Sequence, residues 1–317
     1  GLEAPPPSGV WGGSPATLID ILREKRMISS PRGRVLIIAG SDSGGGAGIQ
    51  ADIKAVTCLG GYAATALTAL TAQNTLGVFG VEAVSPAFVR RQIELVLEDI
   101  GADCLKTGML VSAPIIEAVA DALLTVPDVP LVVDPVMVAK GGAALLDPEA
   151  VAILTRRLVP RATLLTPNLP EAEALLGRRI PDATAMVAAA CDLLRLGPRA
   201  VLLKGGHLVG DDLVDLLVDA DGVRRFEDRR LPTRATHGTG CTLASAIATG
   251  LAQGLDLDAA VLRGRAYLRR AIAAAPGFGA GHGPLGHAHT VAPFPAEVGL
   301  PPELGRGQAP EPLSVLK

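Results

Sequence analysis

Aromatic side chains make up only 3% of the 317-residue chain, and 32 acidic against 29 basic residues leave a net charge of just −3. A nucleic-acid binder needs a basic footprint and stacking platforms, so that class is excluded and a small-molecule role is favoured. Cysteine is scarce too. Cys58, Cys104, Cys191 and Cys241 are widely separated, with no CxxC pair and only His237 at ligand-like spacing from one of them; no disulfide framework or structural zinc is expected. No apolar run reaches the length of a membrane span, and no basic segment followed by an apolar stretch opens the chain, which reads as cytoplasmic with no membrane partner. Lysine supplies six of the 29 basic residues. Those in glycine-rich settings, Lys140 and Lys204, therefore stand out.

Hydrophobic residues are plentiful, at 49%, so the chain can bury a core, and its 37 glycines and 25 prolines fall short of low-complexity composition. Residues 1–33, with a proline run at Pro5–Pro7 and one short helical pattern from Thr17 to Met27, and the proline-rich, nonperiodic 291–317 read as tails on one domain, 34–290. Within it, VLIIAG leads into the loop SDSGGGAG and then into a helical pattern. Further helical patterns cover 87–100, 113–124, 148–158, 184–196, 240–253 and 258–274. The strand candidates are 103–108, 130–135, 162–168 and 200–206. Strands apolar along their whole length, each followed by a helix, predict a mostly parallel sheet covered on both faces. Residues 213–230, two runs around Asp-Gly, predict an antiparallel hairpin at its edge.

Ligands of such sheets gather beyond the carboxyl ends of the strands, so the polar residues there are considered together. Gly46-x-Gly48-x-x-Ala51 has the strand–turn–helix setting of a dinucleotide fingerprint, but no acidic residue stands between Asp52 and Glu82 to hold a ribose. Close packing of helix on sheet, or a loop over a substrate, explains those glycines better. No P-loop motif occurs. The stretch His237-Gly238-Thr239-Gly240-Cys241-Thr242 opens a strongly helical segment, where free backbone amides and the helix dipole make an anion site. The same dipole favours a thiolate in the first turn, which brings Cys241 towards the pKa of a general base; the alternative is a small buried thiol beside a glycine cap.

Lys204 ends an apolar strand and is placed to reach phosphate oxygens, unless it is a surface lysine. Asn168 and Glu171, three apart, suit the water shell of Mg²⁺, although by local pattern alone they fit a helix capping box better. Gln73 offers one donor and one acceptor face, which suits an aminopyrimidine edge. Asp52 is a candidate for substrate contact or for helix N-terminal stabilisation. His282, His287 and His289 are read as loop or surface residues rather than metal ligands.

Taken together and in order, AGSDSGGGAGIQAD, TALTAQNT, KTGML, DPVM, TPNLPEAEALL, LLKGGH and THGTGCTLASAIA resemble the hydroxymethylpyrimidine and phosphomethylpyrimidine kinases of thiamine biosynthesis, members of the ribokinase-like superfamily. The resemblance spans about 34–290. It implies an α/β three-layer sandwich, an ATP- and Mg²⁺-dependent phosphotransferase, and a homodimer. Carried over by residue, it places Gln73 on the pyrimidine, with Gly40, Asp52, Met109 and Val136 around it. Cys241 takes the catalytic position, Gly238 to Cys241 the anion hole and Lys204 the phosphate. Thr166, Asn168 and Thr239 fall on the nucleotide side, and Glu171, Asn168 and Asp134 with the metal, partly through water. Sugar kinases of the superfamily carry aspartate where this chain has Cys241. A pyridoxal kinase of the cysteine-containing type, or an inactive ligand-binding relative, is the alternative.

Overall fold

The first apolar run forms β1 (Arg34–Ala39), buried beyond its first residue, inside an eight-stranded sheet of a computed structural model that describes residues 32–137, 146–208 and 210–292. Along the chain follow α1 (Gly48–Cys58), β2 (Tyr62–Leu67), β3 (Ala69–Asn74), β4 (Gly77–Ala83), α2 (Pro86–Asp99), β5 (Cys104–Thr107), α3 (Ala113–Leu123) and β6 (Leu131–Val133). Then come α4 (Pro148–Arg157), β7 (Leu164–Leu165), α5 (Leu169–Leu176), α6 (Ala183–Leu194), β8 (Ala200–Lys204), β9 (Asp212–Asp219), β10 (Gly222–Arg229), α7 (Thr239–Ala252) and α8 (Leu257–Ala273).

In space the strands run β10, β9, β8, β7, β6, β5, β1, β2. Those from β8 to β2 pair in parallel, and β9 and β10 close one edge as the expected antiparallel hairpin. Side chains alternate between the two faces of a strand. Leu36 and Ile38 therefore join a core beneath α2 to α6, while Val35 and Ile37 join another beneath α1, α7 and α8. The result is the three-layer α/β sandwich that the alternation predicts. Outside the main sheet, β3 and β4 form a separate two-stranded antiparallel sheet that leaves Leu70, Phe79 and Val81 exposed. The predicted tails lie almost wholly outside the described residues, as does Lys140.

α7 is buried over nine consecutive residues, Thr242 to Gly250. Its small side chains let α8 approach closely, and a Cβ at Gly264 would lie 2.9 Å from Ile247 Cγ1. This tight packing fixes the direction in which the N-terminus of α7 points.

Among the described residues no group of three or more His, Cys, Asp or Glu could hold a metal ion. His282 is exposed, but His287 is buried rather than a surface residue, with its Nδ1 3.0 Å from the Tyr267 hydroxyl. Burial lowers its pKa to about 4, with Lys54 and His289 adding to the shift. A depressed histidine takes up fewer protons folded than unfolded, so its contribution is complete above pH ~6.5 and is lost as pH falls towards 4. That amounts to at most about 3 kcal/mol. Melting temperatures from pH 7.5 to 4.5 should therefore fall less steeply for His287→Gln than for the wild type; parallel curves would refute this account.

Candidate active site

The carboxyl ends of the parallel strands and the N-termini of α1, α5 and α7 surround one cavity of about 520 Å³. Its centre is the turn into α7. Gly238 caps that helix at φ +77°, without a side-chain cap bond, and the first intrahelical bond runs from the Thr242 amide to the Gly238 carbonyl at 2.9 Å. The amides of Thr239, Gly240 and Cys241 thus have no intrahelical acceptor and face the cavity with the positive end of the dipole. Any side chain at Gly238 is blocked: a Cβ there would sit 1.9 Å from the Gly46 carbonyl oxygen. The two glycine loops are packed back to back.

Lys204 Nζ stands across from this turn, 3.3 Å from where a Cβ of Gly240 would be. It pairs with Asp134 Oδ1 at 3.1 Å. Burial disfavours its charge, but Asp134 and Glu171 outweigh that and hold its pKa above the usual lysine range. Lys204 is therefore a largely buried ammonium aimed at the mouth of an anion site, not a surface lysine. Asn168 and Glu171 form the capping box of α5 in full: Glu171 Oε2 accepts from the Asn168 amide at 2.8 Å, and Asn168 Oδ1 accepts from the Glu171 amide at 3.0 Å. They also line the cavity with Asp134, so the capping and ligand-facing assignments coexist. Burial and the neighbouring Asp134 push Glu171 up to about 7, against the pull of Lys204.

Three sequence expectations need correction. Thr166 is fully buried behind Asp134, to whose Oδ1 it donates at 3.0 Å, and is not part of the cavity wall. Asp52 likewise neither faces the cavity nor lies in the first turn of α1. It is wholly buried, 2.8 Å from Lys106 Nζ, and accepts from Ser245 Oγ at 2.7 Å. Burial works against the Lys106 ammonium, but Asp52 more than compensates and keeps it charged. Third, Cys241 is not poised as a thiolate: burial pushes its thiol up to about 12, although Lys106 pulls the other way. Desolvation wins over the dipole because the helix terminus contributes only about 0.3–1 kcal/mol.

Gln73, at the irregular end of β3, lines the same cavity with Gly40, Met109 and Val136. The Met109 methyl packs on Gly40 so closely that a Cβ there would meet it at 2.2 Å. Gln73 Nε2 lies 3.1 Å from His237 Nε2, which in turn lies 2.8 Å from Asp42 Oδ2. Neither Asp42 nor the role of His237 was anticipated. The signal was available in SDSGGG, where an aspartate before three glycines suggests a carboxylate taking loop amides.

The chain matches the family model described as phosphomethylpyrimidine kinase over residues 42–286. It is 55% identical over 272 residues to a thiamine biosynthesis bifunctional protein of Geobacter sulfurreducens, covering 86% of this chain but 55% of that longer protein. It is 50% identical over 253 residues to the hydroxymethylpyrimidine/phosphomethylpyrimidine kinase of Streptomyces coelicolor, covering 80% and 93% of the two chains. A crystal structure of an ADP complex of Bacillus subtilis pyridoxal kinase superposes with a TM-score of 0.76 at 35% identity, over 81% of this chain and 98% of the other.

Proposed function

The chain belongs to the phosphomethylpyrimidine kinase family, with its ribokinase-like fold, and from that premise we infer that it uses ATP to phosphorylate 4-amino-5-hydroxymethyl-2-methylpyrimidine and then the monophosphate, in thiamine diphosphate biosynthesis. The observation that carries the inference is that Gln73 and the Gly238–Cys241 turn open into the same cavity, with Lys204 beside the turn. One small ligand can therefore touch both.

Phosphoryl transfer demands placement and charge stabilisation more than covalent help. In this reading Gln73 holds the pyrimidine edge while Gly40, Met109 and Val136 enclose the ring, so that the hydroxymethyl oxygen points at the turn into α7. The oxygen attacks the terminal phosphorus of ATP, the bond to ADP breaks, and the alcohol proton leaves through Cys241 or water. Charge on the migrating phosphoryl group is met by the amides of Thr239, Gly240 and Cys241 and by Lys204. Asn168 and Thr239 contact the nucleotide. Glu171 with Asn168, and Asp134 with its second oxygen, would hold Mg²⁺ through water; two carboxylates and an amide beside one ammonium fit a hard cation that keeps most of its hydration. Bound there, the ion would screen the phosphate charges. We further propose a homodimer, supported by the exposed apolar side chains Leu70, Phe79 and Val81 on β3 and β4, and expect twice the chain mass in light scattering.

Coupled detection of ADP release tests the assignment. ADP should form with the pyrimidine alcohol and with its monophosphate, at a kcat/KM at least about tenfold above that for pyridoxal. A preference for pyridoxal would make this a pyridoxal kinase, the activity that its Bacillus structural relative is named for. No alcohol-dependent ADP at all would make it a binding protein.

A further inference from the structure

Resting on the pyrimidine-kinase reading, we propose that His237, held by Asp42, and Thr71 fix which way round the Gln73 amide faces its ligand, and that this choice selects a 4-aminopyrimidine over its 4-oxo counterpart.

Asp42 Oδ1 accepts from the Gly44 amide at 2.8 Å, and its Oδ2 accepts from the amides of Gly46 at 2.9 Å and Ala47 at 2.8 Å. Burial opposes its charge, but the bonds from His237 and from the backbone of Ala47 and Gly44 keep its pKa below the usual aspartate range. An ionised carboxylate only accepts. The His237 nitrogen 2.8 Å from Oδ2 must therefore carry the hydrogen and donate it to Asp42.

This leaves the Gln73 amide nitrogen, 3.1 Å from that same ring nitrogen, facing a donor with a donor. The other end of the amide meets a parallel conflict. Gln73 Oε1 lies 3.2 Å from Thr71 Oγ1, whose single hydrogen already donates to the Ser41 carbonyl at 2.8 Å. Turning the amide over by half a turn resolves both at once: the carbonyl then shares the His237 hydrogen, and an amide hydrogen donates to Thr71. Amide oxygen and nitrogen are nearly equal in size, so the turn requires no repacking.

Held this way, Gln73 has one N–H and one carbonyl lone pair left, in a fixed order. A 4-aminopyrimidine offers an acceptor ring nitrogen beside a donor amino group. A 4-oxopyrimidine offers a ring N–H beside an acceptor carbonyl, the reverse order. A fixed amide reads one and rejects the other, whereas a freely turning amide accepts both. His237 is thus a positioning residue, acting through Gln73.

The test compares kcat/KM for 4-amino-5-hydroxymethyl-2-methylpyrimidine and for its 4-oxo analogue. The wild type should prefer the amino compound by about 100-fold or more, since a site built to hydrogen-bond one pattern leaves polar groups unpaired with the other. In His237→Leu the ratio should fall at least about tenfold, chiefly through KM, and in His237→Gln, which retains a donor, part of it should return. Equal losses on both substrates, with the ratio intact, would mean a merely structural histidine and would overturn the proposal. In a Gln73→Met background, His237→Leu should leave the ratio where Gln73→Met put it. Should His237→Leu fail to fold, imidazole ¹⁵N spectra of the wild type decide: a protonated Nε2 on His237 supports the proposal and an unprotonated one overturns it. If the wild type phosphorylates neither pyrimidine, the kinase reading falls, and the same spectra still report on the Asp42–His237 pair.

Discussion

Replacing Lys204 by methionine is expected to lower kcat at saturating ATP by about 10²–10³-fold, the loss typical of a preorganised donor aimed at developing charge. The ammonium sits 3.1 Å from Asp134 and beside the Gly240 edge of the turn, so it is already in place before any phosphate arrives and needs no reorganisation. Cys241 compares differently. A general base contributes typically 10²–10⁴-fold when its pKa lies near the working pH, but this thiol is pushed up to about 12. At neutral pH the thiol therefore stays protonated in the empty site. Cys241→Ala should therefore cost no more than Lys204→Met. Turnover of Lys204→Met within about threefold of the wild type, or a clearly larger loss from Cys241→Ala, would remove the electrostatic account of the reaction. Melting temperatures measured alongside separate a lost catalytic charge from the effect of leaving Asp134 without its partner.

The helices and the parallel strands were legible because their signals are local. The small-residue segment at 239–252, for example, carries both a cap and a helical pattern, and the hairpin at β9 and β10 has its Asp-Gly turn. β3 and β4 carry weaker signals because neither joins the main cores: β3 alternates buried and exposed residues and β4 is exposed over most of its length. No apolar run marks them. In the site, Lys204, Glu171 and Gly238 were legible because the topology of the main sheet brings its strand ends and the following helix starts to one cavity, whereas Gln73 reaches that cavity from the separate two-stranded sheet. What failed depended on partners distant in sequence. Asp52 looked like a residue near a helix start until Lys106, on β5, proved to lie against it. Thr166 was placed on the nucleotide side by the resemblance, whereas in the fold Asp134 stands between it and the cavity. Cys241 was judged from the helix terminus, a local property, whereas its proton affinity is governed by how many other elements cover it.

Lys106 and Asp52 bear the second large effect. Both side chains are completely buried, 2.8 Å apart, and Lys106 also borders the inner end of the cavity. Removing one member strands a charge in the interior, which costs about 3–5 kcal/mol, so Lys106→Met should melt roughly 10 °C below the wild type. The double variant Lys106→Met with Asp52→Leu should recover most of that loss, because an apolar pair of similar volume usually replaces a buried ion pair at little cost. A single variant as stable as the wild type, or a double variant no better than the single, would contradict this. A pair so replaceable gains the fold little stability, and the activity of the double variant shows what else it supplies. The Lys106 ammonium is the largest influence favouring a thiolate at Cys241, and its field adds to that of Lys204 where phosphoryl charge gathers. The double variant should therefore regain its melting temperature and still turn over slowly, with kcat reduced and KM for the pyrimidine little changed. Recovery of both together would assign the pair to the architecture alone.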